Sequence, residues 1–356
     1  MGARVLSILM LTASCVACAS TPSTQSTSPA DTIEVAPPVV LTLPRGREAS
    51  AIAVSKRGDA VVATHPRGEY RTDEIRVFGG GGQRRIATTS FGKGEIDSVV
   101  VAGDWVGWVD KSRATPVEAV PVKWRVFVQQ ISGAGAPALL ASSGGVKAPW
   151  APYMAGGEGG FAWPTQGQGD RSEWVWTPQD GVRRIASTAD IADPSVLSDR
   201  LVYVAKSPQG QDCWEQPIAG GAAKALTTSG LVHSCVAAGA TVVYSEGIRP
   251  TDDDDEDAEL DDPYRLWTLV EGRRTLIRRG FFEAGRLAIV SGRAVWSLGA
   301  KRFVSSSATD SVEVGRAGGL IATNGPWVLV APLLLASSHD VVRLKLWKVS
   351  VVDGAS

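Results

Sequence analysis

A chain of 356 residues, 44% hydrophobic and 21% charged, has ample apolar material for a large core. Its formal net charge of −1 speaks against a nucleic-acid binder that works through whole-molecule electrostatics. The balance is uneven, because nine carboxylates crowd into Asp252–Asp262 and leave the rest of the chain net basic.

Residues 1–18 have the make-up of an export signal. Arg4 supplies a short positive region, and Val5–Leu11 is an apolar run too short to span a bilayer. Small residues follow, then Cys15 and Cys18. Leu11-Thr12-Ala13-Ser14-Cys15 resembles the bacterial lipobox, whose cysteine is lipidated and becomes the mature N-terminus; here the leucine lies four residues before the cysteine. Cys15 is therefore the expected lipidation site, Cys18 the alternative, and plain secretory cleavage near Ala17 or Ala19 a third course. Under each of them the chain leaves the cytoplasm. Residues 19–38 are rich in Ser, Thr, Pro and Ala without apolar periodicity, so they are expected to form a flexible tether. The later run Trp327–Ala336 is broken by Pro326 and Pro332, so membrane contact is expected through the N-terminal lipid alone.

From residue 39 to 353 two phrases alternate, at a period of about 40 to 50 residues of the kind propellers show. The first is a pair of β-rich runs split by a Gly/Asp turn: Ser98-Val-Val-Val-Ala-Gly-Asp-Trp-Val-Gly-Trp-Val109, Ser195-Val-Leu-Ser-Asp-Arg-Leu-Val-Tyr-Val204 and Ser234-Cys-Val-Ala-Ala-Gly-Ala-Thr-Val-Val-Tyr244. Ser50–Ala63, Pro152–Trp163 and Ser311–Thr323 are weaker copies. The second phrase is an aromatic-centred run, a Gly-rich turn and a run often opening with paired arginines, as in Glu173-WVWTPQDGVRRIAST-Ala189 and Tyr264-RLWTLVEGRRTLIR-Arg279. Runs of about four to eight residues with alternating polarity, bounded by turn residues, read as antiparallel hairpins. Two hairpins per period make a four-stranded blade, and blades bury their faces only by stacking around an axis. The fold class is therefore an all-β propeller with little helix. Third strands are placed near Val77, Val126, Val175, Trp214, Trp267, Trp296 and Trp347, which gives seven blades, with six or eight as alternatives. The sixth follows the fifth too closely, so that blade is expected to be abbreviated or differently divided. The last run, Arg343–Val352, lacks a following strand, and Val39–Leu43 is expected to take that place and close the ring.

These repeats resemble the TolB-like and WD40-like propellers of bacterial envelope proteins, with Ser55-Lys-Arg-Gly-Asp59 in the place of the Ser-Pro-Asp-Gly turn of TolB repeats. The resemblance implies an envelope lipoprotein that uses its propeller to hold protein partners.

Asp97, Asp193, His233 and Asp310 fall just before presumed innermost strands. Converging at one mouth, they are expected either to bind a cation or polar ligand or to cap turns locally. Ca²⁺ is the one cofactor this entertains. The acidic loop 251–262 also has oxygen ligands for Ca²⁺, but without EF-hand order it reads as a solvated loop or a lure for a basic partner. Arg84-Arg85, Arg183-Arg184, Arg273-Arg274 and Arg278-Arg279 lie on presumed outer strands, where charge prevents edge-to-edge association or holds an anionic envelope polymer. Cys213 and Cys235 are expected to pair as a disulfide between neighbouring blades. Trp124, Trp174, Trp214, Trp267 and Trp347 recur in phase, which assigns them to packing between blades.

No nucleophile elbow, phosphate loop or zinc spacing is present, and the histidines, His65, His233 and His339, are scattered. The leading expectation is a non-catalytic envelope scaffold. A secreted hydrolase or lyase acting on polysaccharide, centred on Asp97, Asp193, His233 and Asp310, is the alternative, and a ligand or cation sensor the second alternative.

Overall fold

Short runs of period-two alternation, cut by glycine and aspartate turns, give strands and nothing else: among the described residues every regular element is a β-strand. The computed structural model describes residues 32–69, 71–92, 94–112, 123–133, 135–144, 151–166, 171–185, 191–247, 264–280, 282, 287–298, 301–305, 311–316, 319–332 and 342–352.

Two short strands, β1 (Thr32–Val35) and β2 (Val39–Thr42), precede the blades. Blade 1 is β3 (Arg47–Val54), β4 (Ala60–Pro66), β5 (Glu74–Gly79) and β6 (Gly82–Thr88). Blade 2 is β7 (Glu95–Ala102), β8 (Trp105–Lys111), β9 (Trp124–Gln130) and β10 (Ala138–Ser142). Blade 3 is β11 (Ala155–Gly156), β12 (Phe161–Gln166), β13 (Arg171–Thr177) and β14 (Gly181–Ile185). Blade 4 is β15 (Ala192–Val196), β16 (Arg200–Ser207), β17 (Gly210–Pro217) and β18 (Lys224–Ala225). Blade 5 is β19 (Val232–Ala238), β20 (Thr241–Gly247), β21 (Tyr264–Val270) and β22 (Arg273–Gly280). Blade 6 is β23 (Ala288–Val290), β24 (Arg293–Leu298), β25 (Lys301–Ser305) and β26 (Ser311–Arg316). Blade 7 is β27 (Gly319–Asn324), β28 (Trp327–Pro332) and β29 (Arg343–Val352), completed from the other end of the chain.

Each blade is an antiparallel meander in sequence order. The first strand of each blade touches the first strands of both neighbours, from β3 round to β27 and back to β3, so the seven blades form a closed propeller. Seven clusters of buried apolar side chains occupy its seven seams. Strand periodicity explains how one strand serves two seams. On β4, Ala60 and Val62 pack toward blade 7, while Val61 and Ala63 pack toward blade 2. The recurrent tryptophans lie on third strands and join these seams, Trp124 and Trp174 between blades 2 and 3 and Trp347 between blades 6 and 7.

The ring closes through β29. β2 pairs with its first half (Val39↔Leu346) and β1 with its second (Val35↔Val349). Pro37 and Pro38 lie between them and have no N–H to offer, which explains why the fourth strand of blade 7 is split in two. Closure therefore begins at Thr32, inside the segment read from sequence as tether.

Blade 6 differs from its sequence reading. Trp296 lies on the second strand, β24, and the third strand is β25. The large ring marking third strands elsewhere is supplied here from one strand earlier, and Trp296 stacks on Phe303 of β25 at 4.5 Å. The run beginning at Ser311 is consequently the outermost strand of blade 6, not the innermost strand of blade 7. Asp310 itself lies outside the described residues, and the strand that follows it in sequence, Ser311–Arg316, is an outermost one.

The turn Ser55-Lys-Arg-Gly-Asp59 joins β3 to β4. Ser55 Oγ accepts hydrogen bonds from the Arg57 and Asp59 amides and donates to Asp59 Oδ2 at 3.0 Å. Gly58 is held at φ +90° against Trp327, where a Cβ would lie 2.6 Å from the indole, so only glycine fits.

Candidate functional site

Each innermost strand starts at one mouth of the channel, here the upper mouth, and turns back at the lower one. Asp97, Asp193 and His233 lie within β7, β15 and β19, near the upper ends. In each case the ladder with the second strand slips there, between Ile96 and Ser98, between Ala192 and Ser195, and between Val232 and Ser234. Blade 1 has the same slip between Ala49 and Ala51. The equivalence of these positions is thus a repeated β-bulge, a device that bends a strand and re-aims a side chain.

Their surroundings differ. Asp97 Oδ1 accepts a hydrogen bond from Lys111 Nζ at 2.7 Å, and the same ammonium lies 3.1 Å from Glu95 Oε1. Burial works to lower the Lys111 pKa, but the hydrogen bonds and charges of Asp97 and Glu95 outweigh it and raise the value above 10.5. His233 is exposed, with its ring 5.7 Å from that of Tyr264. Asp193 is placed by its backbone on β15. Asp310, Cys15, Cys18 and the acidic loop 251–262 lie outside the described residues. Among the described residues no group of three His, Cys, Asp or Glu side chains has metal-holding geometry.

Sequence reasoning missed a set of buried carboxylates near the upper mouth. Asp110, fully buried on β8, accepts from Thr89 Oγ1 at 2.7 Å, the Ser90 amide at 2.6 Å and Ser90 Oγ at 2.5 Å. It pins the passage from blade 1 to blade 2. Asp212 does the same between blades 4 and 5, accepting from Thr227 Oγ1 at 2.8 Å and the Gly230 amide at 3.1 Å. Glu246 accepts from Trp267 Nε1 at 3.0 Å and Arg274 Nη2 at 3.3 Å. The available signal was an acid inside an otherwise apolar strand, as in Trp108-Val-Asp-Lys111. The inner strands are laced similarly: Ser98 Oγ accepts from the Met154 amide of blade 3, and Ser195 Oγ from the Ala237 amide of blade 5.

Cys213 on β17 and Cys235 on β19 are joined as a disulfide across the seam of blades 4 and 5, with Cα atoms 6.0 Å apart. The paired arginines lie on the outermost strands β6, β14 and β22. Several also pack inward: Arg274 covers the rings of Trp267 and Tyr244, and Arg278 that of Trp296.

At the lower mouth, the turns joining first to second strands in six blades surround a hollow of about 400 Å³. Lys56, Glu158, Ser198, Asp199, Arg200 and Asn324 are the polar residues that line it.

No family model matches the chain, and no curated protein matches its sequence. Solved structures do. The propeller domain of the Trilobed protease from Pyrococcus furiosus is similar with a TM-score of 0.56 at 9% identity, over 86% of this chain and 98% of that one. Virginiamycin B lyase from Staphylococcus aureus gives 0.52 at 13% identity, over 90% and 100%. The likeness is one of fold alone. The Pyrococcus propeller has an open velcro topology, whereas here β1 and β2 complete blade 7. A candidate TolB from Agrobacterium tumefaciens aligns at 0.42 with 12% identity, over 90% and 99%, too loosely to support the TolB part of the resemblance.

Proposed function

We propose that this chain is an exported, lipid-anchored protein of the bacterial envelope whose propeller is a non-catalytic platform for protein partners. The observation that carries the reading is the position of the N-terminal strands. β1 and β2 form the rim of blade 7, so a tether entering at Thr32 holds the ring by its outer edge and leaves both mouths open. The ring is also stiff. Buried Asp110 and Asp212 tie successive blades together, and a rigid body presenting many loops suits partner binding with little ordering cost.

The test is photo-crosslinking in intact cells from the exposed upper-mouth positions Tyr153 and His233. Discrete protein adducts specific to these positions are expected. Adducts absent there, with the protein correctly exported, would contradict the platform reading. The alternative, a hydrolase or lyase on polysaccharide, draws support from the bulges that re-aim Asp97 and His233 at one mouth. Cleavage of envelope polysaccharide that Asp97→Asn or His233→Ala abolishes would favour it instead.

A further inference from the structure

We propose that the hollow at the lower mouth is a binding site for a small zwitterion, a free α-amino acid or a dipeptide. Six blades supply its wall, so no single repeat contains it. Its size, about 400 Å³, falls within the range of small-molecule sites.

The charges in the wall divide into two groups. Arg200 is held in the wall: Nη1 donates to Asp199 at 3.1 Å, Nη2 donates to the Gly239 carbonyl at 3.1 Å, and Nε, buried without a hydrogen bond, lies 3.5 Å from Glu215. This arrangement fixes the rim of blade 4 against blade 5 and pairs the Arg200 guanidinium with Asp199. Lys56 of blade 1 and Glu158 of blade 3 are different. Both are exposed, and neither has a hydrogen-bond or ion-pair partner among the described residues. The hollow therefore offers one uncommitted ammonium and one uncommitted carboxylate, with Ser198 and Asn324 as neutral polar groups.

A simple anion would satisfy Lys56 and face Glu158; a simple cation would do the reverse. A ligand carrying both charges meets both, and like-charge contact penalises every singly charged competitor. The hollow lies at the far end of the innermost strands from Asp97, about 20 Å away at the rise of a β-strand. A ligand there would not compete with a protein at the upper mouth.

The experiment is calorimetric titration of the full-length chain with L-glutamine and with L-alanyl-L-alanine. Saturable binding of one of them with Kd below about 1 mM is expected. N-acetylated and C-amidated forms of that ligand should each bind at least about tenfold more weakly, as should the parent ligand to Lys56→Met and to Glu158→Gln. Both positions are exposed turn residues, so the variants should keep the parent melting temperature. The double exchange Lys56→Glu with Glu158→Lys restores the charge pair and should recover affinity to within about threefold. No saturable heat up to about 10 mM, or affinity indifferent to ligand blocking and to both single substitutions, would overturn the proposal.

Discussion

Asp110 and Asp212 each tie one blade to its neighbour. Each is buried in a strand and accepts hydrogen bonds from a passage between blades, the one entering its blade for Asp110 and the one leaving it for Asp212. Removing such an acceptor strands donors in poorly hydrated surroundings. Asp110→Ala and Asp212→Ala are each expected to lose about 1–3 kcal/mol in urea unfolding. These residues were not legible in advance because their partners lie in linkers distant in sequence, Thr89 and Ser90 for Asp110 and Thr227 and Gly230 for Asp212. The disulfide pair was legible, since only two cysteines lie beyond residue 18. Asp97 and His233 each sit at a bulge in an innermost strand, a register feature that residue type alone does not announce. A second residue-level expectation concerns alkaline pH. Burial pushes Tyr244 from 10.0 up to about 12. An unfolded tyrosine releases its proton near pH 10 while the folded one retains it, so stability is complete below pH 10 and declines as pH rises toward 12. Lys111, also raised, adds to the decline above 10.5. Tyr244→Phe should flatten this part of the pH–stability curve, measured by urea midpoints between pH 9 and about 12.

At the scale of elements, strands and hairpins were readable because their signals are local. Alternation within β4 or β8 and the Gly turn after each repeat need no distant partner. Blade 6 shows where that reading stops. Its large aromatic residue, Trp296, is on the second strand and stacks on Phe303 of the third at 4.5 Å. A parse anchored on tryptophan therefore moved one strand too early and took Ser311–Arg316 for an inner strand. The closing element was foreseen at Val39–Leu43, but its first half, Thr32–Val35, was hidden because Pro37-Pro38 separates it from the rest. Deleting residues 32–42 exposes the whole outer edge of β29, whose unpaired backbone then seeks another strand. The truncated chain is expected to melt about 10 °C lower and to form oligomers on size-exclusion chromatography. Deleting residues 19–31 alone should leave both properties at parent values.

At the scale of the whole molecule, the propeller was legible as a repeat and its ring closure as a missing strand. The lower hollow was not, because six blades each give it one turn and only the closed ring assembles them. The same closure links fold to function. In the proposed reading the N-terminal tether leads into the strand that completes the last blade, so attachment and ring closure would meet at one edge. Anchoring through that edge is the central claim, and metabolic labelling with a palmitate analogue tests it most directly. The full-length chain should be labelled and recovered with membranes, and Cys15→Ala should lose label and become soluble. Retained labelling that Cys18→Ala removes would shift the attachment by three residues and leave the claim intact. A wild-type chain that is exported without label would contradict it.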